Sequence, residues 1–162
     1  EEIWSYMPAG GVTEKSVHQS LFPDASELNL EDDVIRKWEM LVVLKGEVSK
    51  ALEHCRREKV IGHSLDAVVQ LVLPKNIRTL LNNDFEELKF IFIVSKVEVV
   101  DSLDNESGVT KSDVLEGVQV LPKPMGGQKC ERCWNYFLEI VEGTEHTSIC
   151  PRCIKNLQAT VA

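Results

Sequence analysis

The chain has 162 residues, 43% apolar and 27% charged, with 18 Lys plus Arg against 26 Asp plus Glu and a net charge of −8. Those proportions describe an ordinary globular chain with room for one domain or two small ones. They exclude a uniformly basic nucleic-acid coat, and no run approaches the roughly 20 apolar residues of a membrane helix.

The opening Glu1-Glu2-Ile3-Trp4 has neither Met nor a signal-like segment and reads as the interior of a longer chain. Residues 1 to 30 are loop-rich, with turns at Pro8-Ala9-Gly10-Gly11 and Phe22-Pro23-Asp24. Trp4, Tyr6, Val17, Leu21 and Phe22 read as a ribbon laid over something apolar.

Residues 31 to 61 predict a long helix. Glu31-Asp32-Asp33 place negative charge at its positive end. Val34, Trp38, Leu41, Val48, Leu52 and Cys55 then keep a 4-3 rhythm, with Leu44 filling the gap at Lys45. Cys55 is a small apolar core residue in this reading. The opposite face pairs Glu47 with Lys50 and Glu53 with Arg57, and Gly62 is the stop. About 28 residues at 1.5 Å each span roughly 40 Å, the length of an arm in a helical bundle.

Residues 65 to 122 predict a small α/β unit. Ala67 to Leu73 is a strand ended by Pro74. Asn76 to Val94 has helical spacing at Ile77, Leu80, Leu81, Phe85, Leu88 and Phe92. Val97, Val99 and Val100 suggest a second strand, Ser102 to Ser112 a polar loop, and Val118 to Leu121 a third strand. Pro122 to Gln128 is a linker.

The five cysteines carry the chemistry. An odd count without a signal segment argues against a disulfide framework and for a reducing, intracellular compartment. Cys130-x-x-Cys133 and Cys150-x-x-Cys153, with 16 residues between, have the spacing of a structural zinc site. Four thiolates leave no open position for water or substrate, which points to structural rather than catalytic zinc; redox dithiols are the other reading, although nothing around Cys130 looks like a thioredoxin-type helix start. Lys129, Arg132, Arg152 and Lys155 flank the thiolates and offset their charge. Residues 122 to 162 hold five basic and four acidic side chains. Phe137 reads as core for the module, whereas Trp134 suits either the core or stacking on an unpaired base. His146 is a spare ligand at most.

The strings Lys129-Cys130-Glu131-Arg132-Cys133-Trp134-Asn135-Tyr136 and Ile149-Cys150-Pro151-Arg152-Cys153-Ile154-Lys155-Asn156 resemble the C-terminal zinc finger of bacterial or organellar isoleucyl-tRNA synthetases. Glu1 to Pro8, Ser16-Val17-His18, Val48 to Lys59 and Glu86 to Phe90 resemble other parts of the same tail, in order. The resemblance implies an α+β chain. Residues 1–64 would be the end of the anticodon-binding helical domain, 65–122 a small α/β unit and 129–157 the finger. It implies a parent that is a class I ligase joining isoleucine to its tRNA with ATP, in the cytoplasm or an organelle. Its catalytic signatures, His-x-Gly-His and Lys-Met-Ser-Lys-Ser, are absent here, and Ile61-Gly62-His63 is only an echo. Expected partners are the anticodon stem-loop and the rest of the parent. The zinc ligands implied are Cys130, Cys133, Cys150 and Cys153. Arg132, Trp134, Arg152 and Lys155 are candidate RNA contacts, as are Arg56, Arg57 and Lys59 on the long helix. A formamidopyrimidine-type DNA glycosylase, which ends in a similar finger, is the alternative, and a zinc-stapled interaction module is a third.

Overall fold

The computed structural model describes residues 1–8, 14–22, 24, 31–82, 85–103, 107–138 and 148–160. Both turns expected before residue 30, and His146, fall wholly or partly outside that range. The chain divides into two compact units, Glu1–Val34 and Ile35–Ala162.

In the first unit, α1 (Glu2–Ser5) precedes a 3₁₀ turn (Val17–Gln19) capped by the Ser16 hydroxyl, which accepts from the His18 amide. The Trp4 indole donates to the Glu14 carbonyl at 3.1 Å. Tyr6, Leu21 and Phe22, read above as a ribbon over an apolar surface, are 81, 93 and 98% exposed.

The second unit is an α+β body bearing the cysteine module. Helix α2 runs from Asp32 to Arg57, 26 residues. It ends earlier than Gly62: Lys59 takes the left-handed conformation (φ 58°), and the Val60 amide closes on the Cys55 carbonyl at 2.9 Å. Gly62 serves instead to let Asp66 cap the next turn, its amide 3.1 Å from the Asp66 carboxylate. Leu41, Leu44, Val48, Ala51, Leu52 and Cys55 are buried, so the expected stripe is a core stripe from Leu41 onward, and burial raises the Cys55 thiol. Val34 and Trp38, at its start, remain 38 and 54% exposed. Of the two expected pairings, Glu47 with Lys50 forms and Glu53 with Arg57 does not. Glu53 meets Arg56 rather than Arg57, at 2.9 Å. Glu47 is buried, not on the open face; Lys50, 2.6 Å away, and the Ser112 hydroxyl hold its carboxyl below the usual range.

The stripe packs in one core with a four-stranded mixed sheet. Strand β1 (Ala67–Val72) pairs parallel with β2 (Lys96–Val100) and antiparallel with β4 (Gln119–Pro124), whose far edge carries β3 (Thr110–Lys111). Ala67, Val69 and Leu71 are buried in alternation, as a strand with one face on a core requires. The stretch read as one helix over 76–94 is two, α3 (Lys75–Leu80) and α4 (Leu88–Phe92). Asn82 interrupts it at φ 54°, a left-handed conformation that Asn tolerates. Apolar spacing is nevertheless kept, because Ile77, Leu81, Leu88 and Phe92 all enter the core. The polar loop after β2 contains β3, and half the expected linker belongs to β4. Arg78 fastens the sheet end, donating to the carbonyls of Leu73 and Val100 at 2.8 and 2.7 Å.

Leu44 is wholly buried and Val42, two residues before it on the opposite face of the same helix, is 68% exposed. Replacing Leu44 by Ala should cost about 2–5 kcal/mol of unfolding free energy in urea titration, and Val42→Ala well under about 1 kcal/mol.

Candidate metal centre

Each half of the module is shaped locally before it meets the other. Gly127, at φ +97°, opens the first half; a Cβ there would lie 2.3 Å from the Phe137 carbonyl oxygen, so no larger residue fits. Strands β5 (Gln128–Lys129) and β6 (Tyr136–Phe137) form a short hairpin around Cys130-x-x-Cys133. Its turn closes when the Trp134 amide donates to the Cys130 carbonyl at 2.9 Å, with Trp134 itself left-handed (φ 64°). The second half is the start of α5 (Pro151–Thr160), with Cys150 just before its first turn and Cys153 inside it. The halves are joined away from sulfur by the Glu131 amide on the Ser148 carbonyl (3.0 Å) and the Ser148 hydroxyl on the Glu131 carboxylate (2.7 Å).

The four sulfurs converge to within 4.8 Å of one another, the one such group among the described residues that is made wholly of cysteine. Cys130 and Cys153 are 3.9 Å apart at sulfur, and Cys133 and Cys150 3.7 Å. A tetrahedron with metal–sulfur bonds of about 2.3 Å has edges of about 3.8 Å, so the cage fits a zinc-sized ion. A disulfide would need sulfurs at about 2.05 Å, and all five cysteines are free.

The donors are prepared unequally. Burial pushes all four thiols up. At Cys130 the amides of Cys133, Cys150 and Arg132 outweigh burial and hold the thiol at about 6. At Cys133 burial is outweighed by the Asn135 side chain and backbone, so that thiol is lowered too. Burial carries Cys150 up to about 12 and also raises Cys153. Four thiolates this close in a buried site need a cation to coexist, and an all-sulfur tetrahedral set selects zinc or iron.

Among the expected RNA contacts, Arg132, Arg152 and Lys155 are exposed around the cage, as is the flanking Lys129. Phe137 packs against the cysteine cluster, as expected of a core residue. Trp134 does not: it is 62% exposed, with the Lys129 ammonium 5.9 Å from its ring. The Arg152 guanidinium lies 5.0 Å over the Phe90 ring, a contact that no spacing pattern signals. Arg56, Arg57 and Lys59 sit together, exposed, at the end of α2, well separated in sequence from the cage.

Residues 127–156 match the family described as the zinc finger found in FPG and IleRS. Along nearly its whole length the chain is similar to isoleucine–tRNA ligases. It is 37% identical over 153 residues to that of Geobacter sulfurreducens, 40% over 155 to that of Syntrophotalea carbinolica and 34% over 162 to that of Klebsiella pneumoniae. These matches take in 94, 95 and 97% of the chain but only 16, 16 and 17% of the relatives' length, a C-terminal part of them. Family and cage agree on a structural zinc finger.

Metal analysis of the purified chain should therefore give about one zinc per molecule, as a closed four-thiolate site predicts. Cys150→Ser with Cys153→Ser should abolish stoichiometric binding. Retention of zinc by that variant at the affinity of the original would refute the site.

Proposed function

We propose that this chain, related over 94–97% of its length to isoleucine–tRNA ligases, forms the part of such an enzyme that holds the anticodon stem-loop of isoleucine tRNA. The parent would supply ATP-dependent activation of isoleucine and its transfer to tRNA. Residues 1–64, 65–122 and 129–157 would be the end of the anticodon-binding region, the α/β unit and the finger. Cys130, Cys133, Cys150 and Cys153 hold the zinc. It carries out no chemistry on the substrate; it fixes the loop that displays Arg132 and Trp134.

The observation that carries this reading is Trp134. A 62% exposed tryptophan, held left-handed at the tip of a metal turn beside a lysine, gains nothing from core packing. It offers an aromatic face to an unpaired base, with cations beside it for the adjoining phosphates. Arg132, hydrogen-bonded to Cys153, and Lys155 would add positive charge near that face, and Arg57 and Lys59 at the end of α2 would meet the stem backbone. Arg152 and Arg56 are engaged within the protein, over Phe90 and with Glu53, and contribute charge rather than a free fork. Against the glycosylase alternative stands the similarity beyond residues 127–156, which runs to ligases. Among the described residues no helix is long and apolar enough to cross a membrane.

Titration with isoleucine tRNA should show weak binding that falls steeply with salt, and weaker binding to the same RNA without its anticodon stem-loop. Trp134→Ala should remove about 1–3 kcal/mol of that affinity while leaving zinc content intact. Equal affinity for both RNAs would reduce the finger to an interaction module, and a preference for duplex DNA would favour the glycosylase kinship.

A further inference from the structure

The exposed face of Trp134 is one wall of a cavity of about 360 Å³. Lys129 and Trp134 of the finger line it on one side, and the loop His63–Asp66 with Ile93 of the body on the other. The shape of that cavity depends on how the finger sits on the body.

A single hydroxyl joins the two walls. Ser95 Oγ donates to the Leu65 carbonyl at 2.5 Å and accepts the Tyr136 amide of β6 at 2.7 Å. It thereby uses both its donor and an acceptor position. Leu65 belongs to the body wall, and Tyr136 is two residues from Trp134 in the hairpin. Two further contacts act in the same direction. The Met125 amide, in the three residues between β4 and β5, donates to the Asp66 carbonyl at 2.6 Å. Arg152 of α5 lies over Phe90 of α4. The finger is therefore docked, not strung on a free linker.

We propose that Ser95 is a positioning residue for RNA recognition: it holds the finger wall and the body wall of the Trp134 cavity in register, so that the RNA meets one preorganised surface. The inference rests on the RNA-binding reading above. Preorganisation matters because a finger free to swing would have to lose that freedom on each binding event. Removing the hydroxyl leaves the Leu65 carbonyl and the Tyr136 amide without their shared partner and loosens both walls at once.

The test uses the whole zinc-loaded chain as Ser95→Ala and Ser95→Thr. Three quantities are read: zinc content, ¹⁵N relaxation of finger amides against sheet amides, and affinity for the anticodon stem-loop. Ser95→Ala should keep its zinc, let the finger amides move independently of the sheet, and weaken RNA binding about tenfold, the scale of one hydrogen bond. Ser95→Thr, which keeps the hydroxyl, should restore both. A Ser95→Ala chain that still tumbles as one body overturns the docking role. Independent motion with unchanged affinity overturns the role in recognition, and loss of zinc reduces Ser95 to a folding residue. Should the original chain bind no RNA at all, the RNA reading itself fails, while the relaxation comparison still decides whether Ser95 docks the finger.

Discussion

Charge neutralisation at four convergent sulfurs is the constraint on which the finger depends. Between residues 127 and 157 the described structure offers a two-by-two-residue hairpin, one helix and a core made of Phe137, Ile149 and the cysteines themselves. So small an apolar set cannot repay the entropy of ordering about 30 residues. Metal binding must supply the difference, as it does in other small zinc modules. The ion joins the hairpin turn to the start of α5, and the display of side chains around the cage follows from that closure. Trp134 is held outward by the turn that Cys130 and Cys133 define. Arg132 lies between those ligands, and Arg152 between Cys150 and Cys153.

The body makes no such demand. Its core runs from Leu41 on α2 through β1 and β4 to Phe92 and Val94, with 18 buried residues in one cluster among those described. Burial of that many apolar side chains, each favourable by about 1.5–3 kcal/mol, is the ordinary source of domain stability. Among the described residues, body and finger meet at Ser95 with Tyr136, Asp66 with Met125, and the ring of Phe90 under Arg152. Such an interface orients without merging the two folding units.

What was legible in the sequence divides along physical lines. A short apolar run stopped by Pro74 exposed β1, apolar stretches rich in β-branched residues exposed β2 and β4, and the 4-3 pattern exposed the stripe of α2, because burial selects apolar residues at those positions. Cysteine spacing exposed the cage because ligand geometry restricts loop length. The break at Asn82 was hidden, since the two short helices keep one apolar register across it. The end of α2 is not marked by its glycine, because Lys59, not Gly62, adopts the left-handed conformation there. Burial of Glu47 depended on a loop more than 60 positions away, which no local pattern encodes. For the same reason the Arg152–Phe90 and Ser95–Tyr136 contacts are visible only in three dimensions. The exposure of Trp134 likewise required the structure, because core and display readings share one sequence.

Amide hydrogen exchange, followed residue by residue before and after zinc chelation, tests the dependence most directly. Chelation should erase protection in the finger, including the Trp134 and Tyr136 amides, and spare that of Val69, Leu71 and Val120 in the sheet. Protection that persists across residues 127–157 without metal, or that vanishes from the sheet together with the finger, would contradict the account.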